Sequence, residues 1–141
     1  MNTPVYKVLI IDDDVDVRDA IRRVLERAGY LVRASANAVD ALSALHLESA
    51  HVVITDIIMP KINGVEAIRS ILQEFPEVRI VAISGGGNFG IDSYKPNAIT
   101  TTAYLAAAER AGAHSVLTKP FESADLVRAV QTVLGMGSGL H

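Results

Sequence analysis

The chain has no cysteine, which excludes disulfides, thiolate metal sites and cysteine nucleophiles and suits a reducing cytoplasm. No apolar run approaches the ~18 residues that a membrane-spanning helix needs. The opening MNTPVYK lacks a basic region followed by an apolar stretch, so no signal peptide is expected. Lysine and arginine form no dense block, and a net charge of −3 gives no attraction for a polyanion. Membrane and direct nucleic-acid partners are therefore not expected. The histidines lack metal-ligand spacing: His46 and His51 flank a loop, His114 precedes an apolar run and His141 is terminal.

What is present is a chain of 141 residues, half of them hydrophobic and 21% charged, long enough for one globular domain with a substantial core. Short apolar runs alternate with segments of helical period. Val5–Ile11 reads as a buried strand; Val17, Ile21, Val24, Leu25 and Ala28 then mark one face of a helix closed by Gly29. Tyr30–Ala34 is a weaker strand and Val39–Leu47 a second helix. Val52–Thr55 is a third strand ending at Asp56, followed by a helix through Val65, Ile68, Leu72 and Phe75 that stops at Pro76. Arg79–Ile83 is a fourth strand running into Ser84 and three glycines. An alanine-rich helix over Thr100–Ala111 ends at Gly112, Ser115–Leu117 forms a fifth strand, and Leu126, Val127, Val130, Val133 and Leu134 face inward on a last helix.

Five strand–helix alternations predict an α/β fold with a parallel sheet covered on both faces. Ligands of such sheets bind beyond the carboxyl ends of the strands, near the switch in strand order. That rule brings Asp12, Asp13, Asp56, Ser84 and Lys119 to one edge. Carboxylates packed together repel unless a cation joins them. Asp12, Asp13 and Asp56 suit Mg²⁺, a hard ion that takes oxygen ligands and retains waters. Asp56 could act as a carboxylate nucleophile forming an aspartyl-phosphate, with Lys119 and Ser84 meeting phosphoryl oxygens. In the stretch LIIDDDVD, Asp14 and Asp16 instead suit the cap and first turn of the following helix.

Taken together, IIDDDVDVR, VVITDIIMPKINGVEAI, IVAISG and VLTKPF resemble the receiver domain of two-component response regulators, over about residues 5–135. The resemblance implies a flavodoxin-like, doubly wound five-stranded parallel sheet. It implies that Asp56 takes a phosphoryl group from a histidine kinase or histidine phosphotransfer protein. Mg²⁺ would be held by Asp12, Asp13, Asp56 and the backbone carbonyl of Ile58, with Ser84 as the switch hydroxyl and Lys119 as the phosphoryl contact. It also implies a cis bond between Lys119 and Pro120. The expected role is a cytoplasmic signalling switch, not a metabolic enzyme, whose altered surface binds a downstream protein or a second copy of the chain.

Two departures from the family pattern stand out. Val116, three residues before Lys119, replaces the usual aromatic residue, and an insert at Gly85–Thr101 lengthens the stretch from Ser84 to Lys119 by roughly a dozen residues over the family's usual separation. Phe89 or Tyr94 in that insert could replace the missing aromatic. Ile58 and Gly86 offer no polar help to an attacking water, so slow self-dephosphorylation is expected. The tail 136–141 is expected to be disordered. Two other readings remain: a phosphorylation-independent binding module, and a phosphatase of the haloacid-dehalogenase class, which Asp12-x-Asp14 fits only in part because Asp16 stands at the fifth position.

Overall fold

In the computed structural model, residues 5–57, 64–84 and 106–135 are described. Five strands run in parallel: β1 (Lys7–Ile11), β2 (Leu31–Ser35), β3 (Val52–Asp56), β4 (Arg79–Ser84) and β5 (Ser115–Thr118). Their order is β2-β1-β3-β4-β5, so the chain passes from β1 to one side and then crosses to the other. The described helices are α1 (Val15–Arg27), α2 (Ala38–Leu47), α3 (Gly64–Glu74), helical residues 106–111 (α4) and α5 (Ser123–Val133). This is the expected flavodoxin-like, doubly wound arrangement.

The apolar runs are continuous because the central strands are covered twice. Val8 and Ile10 of β1 pack with Ile21 and Leu25 of α1 and with Leu126 and Val130 of α5. Leu9 and Ile11, pointing the other way, meet Ala41 and Leu45 of α2, Ile68 and Ile71 of α3 and Ala108 of α4. Alternate side chains of one strand thus feed two cores. Each such fully buried aliphatic side chain contributes roughly 1.5–3 kcal/mol. Strand β2 has no fully buried residue, which accounts for its weak apolar signal: it lies at a sheet edge.

Helix ends follow their local chemistry. Asp14 caps α1, its side chain accepting from the N–H groups of Asp16 and Val17, and Asp16 lies in the first turn, as the sequence indicates. Gly29 and Gly112 take φ of 101° and 121°, the left-handed conformation that turns the chain out of a helix. Ala28 is exposed, not part of the apolar face, because α1 ends at Arg27 and Ala28 is already its cap. Among the described residues, no helix is long and apolar enough to cross a membrane. Ile58, Gly86, the 85–101 insert with Phe89 and Tyr94, and the tail 136–141 lie outside the described residues.

Candidate functional site

The carboxyl ends of β1, β3, β4 and β5 form one edge, and the ladder sets its spacing. Ile11 pairs with Thr55, so Asp12 and Asp56 follow at adjacent strand ends. Beyond the strands, the Ile57 N–H donates to the Ile83 carbonyl at 3.0 Å and the Lys119 N–H to the Ser84 carbonyl at 3.1 Å. These two bonds carry the register past Asp56 and hold Lys119 beside the end of β4. The Lys119–Pro120 bond is cis, as the resemblance implies.

Lys119 Nζ lies 3.5 Å from Asp56 Oδ2, and the Asp56 side chain is only 8% exposed. Asp12 is buried to 2% exposure. Burial, with repulsion from Asp56 and Asp13, pushes the Asp12 carboxyl up from 3.8 to about 6, against the Asp14 N–H and the Lys119 charge, which favour its ionised form. One carboxylate in this pocket is therefore short of positive charge at neutral pH. Asp12 Oδ1 is already engaged by the Asp14 N–H at 2.9 Å. Asp13 is exposed and acts on Asp12 through its charge.

Ser84 is fully buried, and among the described residues its Oγ has no hydrogen-bond partner. A buried hydroxyl left unmade costs about 1–3 kcal/mol, so its place at the end of β4 asks for a group that would engage it. Val116 is half-buried and packs against the core on the α2 and α3 side.

Among the described residues, no three carboxylate or imidazole groups converge into a ready-made metal cage. That does not conflict with Mg²⁺, which commonly takes one or two carboxylates and completes its shell with waters and phosphate oxygens. The charge-deficient Asp12 beside Asp56 fits such an ion. Asp12, Asp56 and Lys119 are brought together, Ser84 joins them at the neighbouring strand end, and Asp13 reaches the same edge from the solvent side.

Two contributors escaped the sequence reading. Arg18 Nη1 donates to the Asp12 carbonyl at 2.8 Å. Gly64, at the start of α3, lies so close to the backbone after β3 that a Cβ there would overlap the Ile57 Cα and come within 2.7 Å of the Asp56 carbonyl oxygen. The glycine within KINGVEAI was legible, but the backbone it meets was not. The three described histidines have structural contacts: His51 Nδ1 accepts the Lys7 N–H, His114 Nδ1 accepts the Ile80 N–H, and His46 pairs with Glu74.

Fold and edge chemistry together define a signalling domain of the flavodoxin-like class. The family model of the response regulator receiver domain matches residues 8–131. The chain is 34% identical over 124 residues to the C4-dicarboxylate transport transcriptional regulatory protein DctD of Rhizobium meliloti, covering 88% of this chain and 24% of that protein. It is 30% identical over 128 residues to the response regulator receiver protein CpdR of Brucella abortus, covering 91% of this chain and 96% of that one. The crystal structure of the receiver domain of NtrX from Brucella abortus superposes with a TM-score of 0.77 at 28% identity, covering 91% of this chain and 98% of that chain. The chain thus spans about a quarter of DctD and nearly all of CpdR. It belongs to the response regulator receiver domain family, which is a signalling family and not one of metabolic enzymes.

Proposed function

We propose that the chain is a phosphorylation-controlled switch in which Asp56 is the phosphoacceptor. The observation carrying this reading is the pairing of buried Asp56 with Lys119 at 3.5 Å, beside the charge-deficient Asp12. A carboxylate oxygen of Asp56 attacks the phosphorus of a phosphohistidine on a histidine kinase or histidine phosphotransfer protein. The new P–O bond forms as the P–N bond breaks, and the imidazole leaves with the electron pair. Lys119 Nζ meets the charge on one phosphoryl oxygen, and the Ser84 hydroxyl donates to another.

Asp12, Asp13, Asp56 and the carbonyl of Ile58 are the residues that would hold Mg²⁺, which when bound neutralises carboxylate and phosphoryl oxygens. Engagement of the buried Ser84 Oγ would draw the end of β4 toward the site and bias the adjoining surface toward one of two arrangements. That surface would bind a downstream protein or a second copy of the chain. The setting is cytoplasmic, where kinases and receivers meet. With a net charge of −3, this domain has no evident means of direct nucleic-acid contact.

The test is incubation of the full chain with Mg²⁺ and either acetyl phosphate or a phosphorylated kinase. One phosphoryl group per chain is expected by intact mass, labile to hydroxylamine and absent in Asp56→Asn. Equal labelling of Asp56→Asn, or no labelling by any donor, overturns the reading and leaves a phosphorylation-independent binding module.

A further inference from the structure

The acidic turn between β1 and α1 is closed by bonds among its own residues and anchored to β2. The Asp12 N–H donates to the Ser35 carbonyl of β2 at 3.1 Å, and its side chain accepts from the Asp14 N–H. Asp14 Oδ1 in turn accepts from the N–H groups of Asp16 and Val17 at 2.9 and 3.2 Å. One turn into α1, the Arg18 N–H donates to the Asp14 carbonyl at 3.0 Å. The Arg18 guanidinium then reaches back to the Asp12 carbonyl at 2.8 Å. Helical side chains lean toward the helix N-terminus, which is why a long residue at this position can reach that far.

A cation this close to a helix N-terminus runs against the helix dipole. Its place there therefore needs a local reason. The carbonyl it grips belongs to the peptide unit joining Asp12 to Asp13, and that unit is planar. Fixing its oxygen fixes the plane, and with it the point from which Asp13 departs. Asp13 itself is exposed.

We propose that Arg18 is a positioning residue that sets the Asp12–Asp13 peptide plane and hence the separation of the two carboxylates that would hold Mg²⁺. The inference rests on the receiver reading of this site. It gives Arg18 no contact with the metal or the phosphoryl group. A merely electrostatic role has the opposite sign, because deleting a cation beside a cation site strengthens metal binding.

The experiment titrates Mg²⁺ by calorimetry into the wild-type chain, Arg18→Ala, Arg18→Lys and Arg23→Ala. It also follows phosphorylation by acetyl phosphate as a function of Mg²⁺ concentration. Arg23 is an exposed arginine on the same helix and controls for charge alone. Arg18→Ala is expected to bind Mg²⁺ about 10-fold more weakly, the scale of losing an outer partner of a metal ligand. Its half-saturating Mg²⁺ for phosphorylation should rise equally, with the maximal rate retained. Arg18→Lys should recover part of the loss, and Arg23→Ala should match wild type.

Unchanged or tighter Mg²⁺ binding by Arg18→Ala overturns the proposal, as does an equal loss in Arg23→Ala. If Arg18→Ala fails to fold, Arg18→Lys decides: intermediate affinity supports the proposal, and wild-type affinity overturns it. A wild type that binds no Mg²⁺ overturns this inference and the metal reading beneath it, whereas wild-type binding with unaltered variants overturns the inference alone.

Discussion

His114 Nδ1 accepts the backbone N–H of Ile80 at 3.0 Å, joining the start of β4 to the residue before β5. The His114 N–H returns a bond to the Ile80 carbonyl at 2.8 Å, so the two residues clasp each other at the amino ends of their strands. An imidazole that accepts at Nδ1 must be unprotonated there.

Burial of the ring, then the nearby Arg79 charge, lowers the His114 pKa below the ordinary 6.5. The neutral ring is thus favoured in the folded state. Its contribution is fully present above 6.5 and is lost as pH falls from there through the lowered folded value. The residue is exposed as a whole, so the loss should be below ~1 kcal/mol after solvent screening. His114→Asn, whose side-chain oxygen can accept the same N–H, should remove this dependence, as read from melting curves at several pH values. An identical pH profile in the variant contradicts the assignment.

Asp12 has the opposite sign. Its carboxyl is raised to about 6, so in the absence of metal it lowers stability as pH rises from 3.8 toward 6, and by a constant amount above that. Asp12→Asn can keep the bond from the Asp14 N–H and removes the buried charge. In EDTA at pH 7.5 the variant should be more stable by about 1–3 kcal/mol. Added Mg²⁺ should stabilise the wild type and leave the variant nearly unmoved. A variant that melts below wild type in EDTA would show that the carboxylate is already compensated.

Two glycines should respond differently to alanine. Gly29 has positive φ and open space around it, so Gly29→Ala should cost about 1–2 kcal/mol through the left-handed backbone alone. Labelling of Asp56 should be unaffected. Gly64→Ala must push α3 off the backbone after Asp56, at about 2–3 kcal/mol or more. It should slow labelling as well, because the displaced atoms adjoin Asp56, the proposed acceptor. Denaturant melts and phosphorylation rates on the same samples separate the two effects.

Arg33, on edge strand β2, closes the end of α2. Its guanidinium donates to the carbonyls of Ala44, Glu48 and Ser49 at 3.1, 2.7 and 3.2 Å. The Ala44 carbonyl also accepts the Glu48 N–H, the last bond of the helix, while the Glu48 and Ser49 carbonyls lie beyond its end. Arg33→Ala should cost about 1–2 kcal/mol, with faster amide exchange confined to the end of α2 and β2. Uniformly faster exchange across the sheet would show a global role instead.

The sheet was readable because its central strands are buried on both faces, which leaves unbroken runs such as Val8–Ile11 and Val52–Ile54. Asp12, Asp56, Ser84 and Lys119 were readable as the polar residues at which those runs stop. Strand limits shifted by a residue or two: Ser84 falls inside β4 because backbone pairing continues where the apolar pattern has ended, and Val5 and Tyr6 fall outside β1 because its pairing begins only at Lys7. Arg18, Arg33 and Gly64 were not readable as contributors. Each acts on backbone atoms of another segment, and periodicity reports which way a side chain faces, not which carbonyl lies within its reach. His51 and His114 show the same limit: their spacing gave no reason to expect a metal site but could not reveal the Lys7 and Ile80 N–H groups they accept.

The edge that gathers Asp12, Asp56, Ser84 and Lys119 takes one residue from the end of each of four strands, separated in sequence by as many as 107 positions (119 − 12). No single strand–helix unit contains the whole set, and β5 docks beside β4 as the last of the described strands in chain order. A chain with β5 undocked would leave Asp56 without its lysine, and on the proposed reading it would lack the phosphoryl contact. On that reading, completion of the sheet gates information transfer: a half-folded copy would be silent, not wrongly active.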